Sequence, residues 1–192
     1  MSAPTKFAHV VYKTHRYDEM IDWYVKVFDA KIQNKTENLA FLSYDDEHHR
    51  IAFLNLGARP TDLPEIETGL TSKCQGVHHV SYTWATLDEL LDQYLLMKEN
   101  HTPPTYCLRH GLTLSMYYAD PDGNGMEFQV DVLQVDDAVK FMESPEFDAN
   151  PVGEFFDPED LINAREAKES LVPHVLRSDQ TVPEAGFAIE IS

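Results

Sequence analysis

Apolar and polar positions alternate along the chain with two different periods, one typical of strands and one typical of helices. Residues 17–28 form an apolar face at helical spacing, and short runs rich in β-branched and aromatic residues precede and follow this stretch. We therefore predict the order β-α-β-β-β, with strands at residues 6–13, 30–33, 39–44 and 50–56. The helix face is made by Met20, Trp23, Tyr24 and Val27.

The same order of elements returns after an irregular segment. Residues 58–75 contain prolines and many polar residues and follow neither period, which indicates a linker. Beyond it we predict a helix at residues 87–98 and strands at residues 77–83, 106–109, 112–119 and 126–132.

Residues of the second pass match residues of the first at a fixed offset of 70 positions. So many identities at one offset indicate an internal repeat, in which equivalent positions of two facing modules meet at one central cleft. The matched pairs are His9 and His79, Val10 and Val80, Tyr12 and Tyr82, Asp18 and Asp88, Glu19 and Glu89, Asp22 and Asp92, and Tyr24 and Tyr94.

The predicted fold class is α+β, with two tandem βαβββ modules that form a mixed-sheet open barrel around the cleft. Module one covers residues 5–57 and module two residues 76–133, so that one domain spans residues 1–133. Residues 134–192 form a C-terminal helical extension, interpreted as a wrapping or interface tail. Within it we predict a helix near residues 136–142 and a second helix with Asp157 as its N-cap and Pro158 at its first position.

Composition and charge narrow the possible partners. The 192 residues are 43% hydrophobic and 25% charged, as in an ordinary globular domain, and the formal net charge is −18. This charge disfavours nucleic acid and anionic membrane surfaces, which both require a basic patch. No apolar run is long enough to span a bilayer and the first residues lack the apolar core of a secretory signal, so a cytoplasmic location is expected. The acidic tail on a small domain suggests a homodimer or a higher homo-oligomer.

The hairpin at residues 110–127 contains the first candidate chemistry. Glu127 lies just inside the returning strand between Met126 and Phe128, where burial of a carboxylate is costly unless a cation or hydrogen-bond donors satisfy it. A surface carboxylate is the competing interpretation for a single strand glutamate.

Two strand histidines favour a metal-ligand role for Glu127 over a surface position. His9 and His79 occupy equivalent positions of the repeat, whereas the neighbouring His78 would point to the opposite face of its strand. Together with Glu127 they match the arrangement of two histidines and one carboxylate that binds Fe(II), or alternatively Mn(II), with open coordination positions. Aligning the closing strands of the two modules places Ala52 opposite Glu127, so module one supplies no fourth ligand.

The hairpin is very similar to the signature of the extradiol ring-cleavage dioxygenases, of the catechol and 2,3-dihydroxybiphenyl dioxygenase type, in the vicinal oxygen chelate superfamily. Leu108 is one departure, since a smaller or β-branched residue or Asn is usual there. The similarity extends to the stretch GVHHVSYTWATLDELL, to HHRIAF in module one and to the first part of the tail. Its signature positions are His110, Met116, Tyr117, Asp120, Pro121, Gly123 and Glu127.

The resemblance implies roles for several residues. His9, His79 and Glu127 match the iron ligands, and His110 and Tyr117 match the residues that hydrogen-bond the substrate oxygens. The position of His49 is similar to that of the acid-base histidine, with His48 as a competitor. The implied substrates are O₂ and a small aromatic diol.

Two other functions remain open at this point. A glyoxalase- or epimerase-like metal isomerase would need a fourth ligand from module one, which Ala52 cannot provide. A ligand-sequestering protein of the bleomycin-resistance type would need no metal at all.

Overall fold

The computed structural model of the protein describes residues 3–64, 68–183 and 186–190. Parts of the predicted linker, residues 65–67, and of the predicted tail, residues 184–185 and 191–192, lie outside the described residues. The chain divides into two compact units. Unit one contains Met1–Gln75 and Asp120–Asn124, and unit two contains Gly76–Ala119 and Gly125–Ser192.

Unit one is a mixed four-stranded sheet with one helix. Its strand order is β1-β4-β3-β2, with β1 and β4 parallel and the other pairs antiparallel. A short 3₁₀ helix, Gly69–Thr71, interrupts the predicted linker. The main elements are β1 (Val10–Thr14), α1 (Tyr17–Phe28), β2 (Lys31–Lys35), β3 (Leu39–Ser43) and β4 (Ile51–Asn55).

Unit two repeats this topology and extends it. Its sheet has the order β5-β8-β7-β6-β9, with β5 and β8 parallel and the other pairs antiparallel. The repeated elements are β5 (Val80–Thr83), α2 (Leu87–Glu99), β6 (Tyr106–Arg109), β7 (Thr113–Ala119) and β8 (Gly125–Asp131). The tail adds α3 (Val135–Met142), α4 (Pro145–Ala149), β9 (Glu154–Phe155), α5 (Pro158–Ala167) and α6 (Val172–Val175).

Strand register shows the repeat at the level of single residues. Val11 pairs with Ala52 in unit one, and Ser81, which lies 70 positions after Val11, pairs with Glu127 in unit two. Ala52 therefore occupies the place that Glu127 holds in the other unit, as the sequence alignment predicted. The predicted α+β class with two β-α-β-β-β modules is confirmed.

The repeated helices bury an apolar face, and in α1 it contains Met20, Tyr24 and Val27 of the predicted face together with Ile21, whereas Trp23 is half-buried. In α1, Met20 and Tyr24 are fully buried, and the Tyr24 ring lies 5.0 Å from the ring of Phe53 on β4. In α2 the Thr86 side chain caps the first turn by accepting a hydrogen bond of 3.1 Å from the Glu89 backbone N–H, which satisfies a donor that the helix leaves free. Burial of these faces against the sheets accounts for most of the helices' stability.

The tail is structured along most of its length. Asp157 caps α5 as predicted, since its carboxylate accepts from the Glu159 backbone N–H at 3.0 Å. The elements α4, β9 and α6 were not predicted, because two to five residues are too few to show a period. Strand β9 exists through its pairing with β6, in which Leu108 is opposite Phe155. Among the described residues no helix combines the length and apolar character that crossing a bilayer requires.

Candidate metal and substrate site

In the sheet of unit two, strands β5, β7 and β8 have a polar face around Glu127. Because alternate strand residues point to opposite sides, Met126 and Phe128 on either side of Glu127 belong to the other face, where they are fully buried. Register fixes the members of the polar face. They are Ser81 on β5, Gln129 on β8, Ser115 and Tyr117 on β7, and His79 two residues before Ser81.

Glu127 lies at the centre of this face and is only 6% exposed. Its Oε1 accepts a hydrogen bond of 2.7 Å from the Tyr117 hydroxyl, and its Oε2 lies 3.0 Å from Nε2 of His79. The surface interpretation of Glu127 is therefore wrong: this carboxylate is buried and satisfied by specific partners.

Tyr117 connects the carboxylate to His110. Its hydroxyl oxygen lies 2.8 Å from Nε2 of His110, and Nε2 lies 3.7 Å from Oε1 of Glu127. A phenol carries a single proton, so a Tyr117 that donates to Glu127 can only accept from His110. The three side chains thus form one proton-sharing row, Glu127–Tyr117–His110.

Burial and hydrogen bonding compete in setting the pKa values of this row. Burial acts to raise the pKa of Glu127, but hydrogen bonds from Tyr117, Ser115 and Ser81 and the proximity of His79 hold it below its ordinary value. Burial lowers the pKa of His110 despite the nearby carboxylate. Burial and the bond to Glu127 raise the pKa of Tyr117. At neutral pH the row therefore holds a carboxylate, a phenol and a neutral imidazole that can accept a proton.

This donor set fits a divalent metal. One imidazole nitrogen and one carboxylate oxygen 3.0 Å apart are ligand types that Fe(II) and Mn(II) accept, and the second carboxylate oxygen is already held by Tyr117. In the described residues no three His, Cys, Asp or Glu side chains form a metal-binding group. Convergence of His9 with His79 and Glu127 thus stays a prediction.

Unit one contains the other predicted histidines. His9 precedes β1, is exposed, and its ring lies 4.4 Å from that of His49. His49 also packs edge-on against Phe41 and is half-buried, whereas the neighbouring His48 is exposed. Burial and the nearby His9 and His48 lower the pKa of His49. His49 is therefore the better packed of the two candidates for the acid-base role.

Some partners of the predicted residues were not found from the sequence. Ser81 and Ser115 help to hold Glu127, and strand register would have revealed Ser81 once β5 and β8 were paired. The Val152 backbone acts to raise the pKa of His110 against the effect of burial, and no local pattern links these distant residues.

The two-module fold and its half-buried row of polar groups define a class of protein. Residues 6–128 match the model of the Glyoxalase/Bleomycin resistance protein/Dioxygenase superfamily. The fold is similar to that of lactoylglutathione lyase from Agrobacterium tumefaciens, with a TM-score of 0.51 at 15% identity over 67% of this chain and 96% of that one. The chain belongs to the Glyoxalase/Bleomycin resistance protein/Dioxygenase superfamily.

Two relatives narrow this class. The chain is 45% identical to biphenyl-2,3-diol 1,2-dioxygenase 2 of Rhodococcus globerulus over 159 residues, which cover 82% of this chain and 80% of the relative. It is 33% identical to biphenyl-2,3-diol 1,2-dioxygenase 3 of the same organism, covering 87% and 85% respectively. The predicted resemblance to the extradiol dioxygenases, and with it the enzyme class, is confirmed.

Proposed function

We propose that the protein is an Fe(II)-dependent extradiol dioxygenase that opens the ring of a catechol-type aromatic next to its two hydroxyls. The observation that carries the proposal is the row Glu127–Tyr117–His110 with His79 beside it, because it holds a ligand carboxylate and a proton carrier on one sheet face. The names of the two Rhodococcus relatives support an aromatic diol as the substrate.

In this proposal His9, His79 and Glu127 hold the metal. Fe(II), with Mn(II) as the alternative, would supply open positions at which both diol oxygens and dioxygen are held together, so that they react as if within one molecule. Tyr117 keeps Glu127 ionised and oriented by donating to the oxygen that faces away from His79. A ligand so oriented loses little freedom when the metal binds.

His110 and Tyr117 act on the substrate. The His110 imidazole is 18% exposed, so one edge of its ring can reach a bound ligand while Nε2 is held by the Tyr117 hydroxyl. We assign it, with the Tyr117 hydroxyl, to hydrogen bonds with the diol oxygens and to accepting a proton as the diol binds.

His49 is assigned to proton transfer on the oxygen side of the reaction. Its lowered pKa keeps the imidazole neutral at pH 7, so it can accept a proton and return it in a later step. His48 is the alternative, and its exposed position offers no comparable shielding from solvent.

Anaerobic loading with Fe(II), followed by 2,3-dihydroxybiphenyl in air, tests the proposal. Oxygen uptake matched to the formation of a yellow ring-opened product is expected. No oxygen uptake across a panel of catechols would refute it. Oxygen-independent turnover of a methylglyoxal–thiol adduct would indicate an isomerase, and absence of metal binding would indicate a sequestering protein.

A further inference from the structure

The tail closes around the turn that carries His110. We propose that the tail segment 146–180, fixed by the buried Arg177, positions the His110 imidazole for the reaction, so that Arg177 is a positioning residue of the active site. The inference rests on the proposed function for its catalytic meaning. It rests on unit two alone for its geometry.

Contact with the backbone of His110 comes first from Gly153. Nε2 of the imidazole faces the Tyr117 hydroxyl at 2.8 Å, so Tyr117 holds one side of the ring. Gly153 has a φ of +96°, and a Cβ there would overlap the Arg109 carbonyl oxygen and lie 2.9 Å from Cα of His110. The tail thus runs against the backbone that carries His110, at a distance only glycine permits.

Gly111, directly after His110, is enclosed from the other side. It has a φ of +95°, and a Cβ there would overlap the Phe141 ring and lie 3.0 Å from Cδ of Arg177. Its carbonyl oxygen accepts a hydrogen bond of 2.9 Å from the Gln180 side-chain amide. Tail residues therefore hold the turn on both sides of His110.

Arg177 links the parts of the tail that make these contacts. Its side chain is fully buried and donates from Nε and Nη2 to the two oxygens of Asp179 at 2.9 and 2.6 Å. The same guanidinium donates to the carbonyl oxygens of Asn150 at 2.8 Å and Glu146 at 3.3 Å. A rigid, fully engaged guanidinium fixes both segments in one arrangement.

Attachment of the tail does not depend on Arg177. Strand β9 pairs with β6, and Arg165 on α5 donates to Asp92 on α2 at 2.9 Å. Loss of the Arg177 contacts should therefore loosen the His110 turn without releasing the tail. A catalytic group displaced by about 1 Å can lose roughly a hundredfold in rate.

The experiment uses the full chain loaded with Fe(II) and assayed on 2,3-dihydroxybiphenyl. Arg177→Met is expected to lower kcat/KM by about tenfold or more, mainly through kcat, with partial recovery in Arg177→Lys. Arg165→Met is the matched control, because this tail arginine donates to Asp88 and Asp92 on α2, away from the His110 turn, and its loss should change kcat/KM less than twofold. In a His110→Ala background, Arg177→Met should cause no further loss of kcat.

Hydrogen exchange at the amides of residues 111–113 gives a readout that needs no activity. Faster exchange is expected in Arg177→Met and in Gln180→Leu, which removes the bond to Gly111 together with the 3.4 Å bond that Gln180 Oε1 accepts from the Arg177 backbone N–H. No change is expected in Arg165→Met. If the wild-type protein is inactive, the proposed function fails while this readout still decides the positioning role. Unchanged exchange in both Arg177→Met and Gln180→Leu would overturn the inference. So would an undiminished loss of kcat from Arg177→Met in the His110→Ala background.

Discussion

The hydroxyl of Tyr117 should contribute directly to metal affinity, and Tyr117→Phe removes it without changing the shape of the ring. In the wild-type protein this hydroxyl donates to Oε1 of Glu127 at 2.7 Å and accepts from His110 at 2.8 Å. The variant leaves a 6% exposed carboxylate with one donor fewer. The negative charge that a metal needs at Glu127 then becomes more costly to maintain.

The size of the effect follows from the partner's charge and burial. A hydrogen bond to a buried charged group contributes about 1.5–3 kcal/mol, which corresponds to roughly 10- to 150-fold in an equilibrium constant. His79 still lies 3.0 Å from the other oxygen of Glu127, so the lower half of this range applies. We expect Fe(II) affinity to fall by about 10- to 30-fold, within the range of roughly 10- to 100-fold seen when groups that orient metal ligands are changed.

Anaerobic Fe(II) titration against a competing chelator measures this change. Tyr118→Phe is the matched control, since Tyr118 is also buried and occupies the next position of β7. Its side chain points to the apolar face, where its hydroxyl donates to the Met116 sulfur at 3.6 Å. Equal Fe(II) affinity in the wild-type protein and Tyr117→Phe would refute the role given to this hydroxyl. So would an equal loss in both variants.

Three further predictions concern stability. Burial raises the pKa of Asp120 to about 6, so the folded protein favours the protonated form of this side chain. The stability that protonated Asp120 contributes is present at low pH and is lost as the pH rises through this value. Tyr24→Phe removes a 3.1 Å hydrogen bond to this carboxylate, which needs its donors most when it is ionised. The variant should therefore lower the free energy of urea unfolding more at pH 7.5 than at pH 5. An equal loss at both pH values would contradict this. Asp157→Ala should cost about 0.5–2 kcal/mol in thermal or urea unfolding through loss of the α5 cap, with no change in kcat. At a free Fe(II) concentration a hundred times the Kd for Fe(II), removing the metal should lower the free energy of unfolding by about 2.7 kcal/mol. An unchanged melting temperature would argue against a resident metal.

Local periodicity predicted the elements that carry a clear apolar face. The bounds of α1, Tyr17–Phe28, agree with the prediction because a long amphipathic face and a left-handed Asp29 at its end mark both limits. Strand β2 was placed one residue early and ended two residues early, since all five of its residues are exposed and show no alternation. It is held by pairing with β3 instead.

The candidate site was predicted as far as the repeat and the alternation of strand residues could indicate it. The equivalence of Ala52 and Glu127 could be read by aligning the closing strands of the two modules, and both strands pair with the first strand of their module in the same register. The contacts of Gly153 and Arg177 around the His110 turn could not, because they depend on where the tail folds back and not on any local pattern. Long-range contacts of this kind carry no signal in a single sequence.

Strand β9 has a consequence for solubility. In unit one the outer strand β2 carries Lys31 and Lys35 and a bulge at its pairing with β3, features that discourage pairing with another chain. In unit two the corresponding strand β6 carries a single basic residue, Arg109 at its end, and is covered by β9 instead. A chain truncated before residue 154 would expose this strand as an open edge, and we expect it to aggregate even where the remaining sheet is correctly formed.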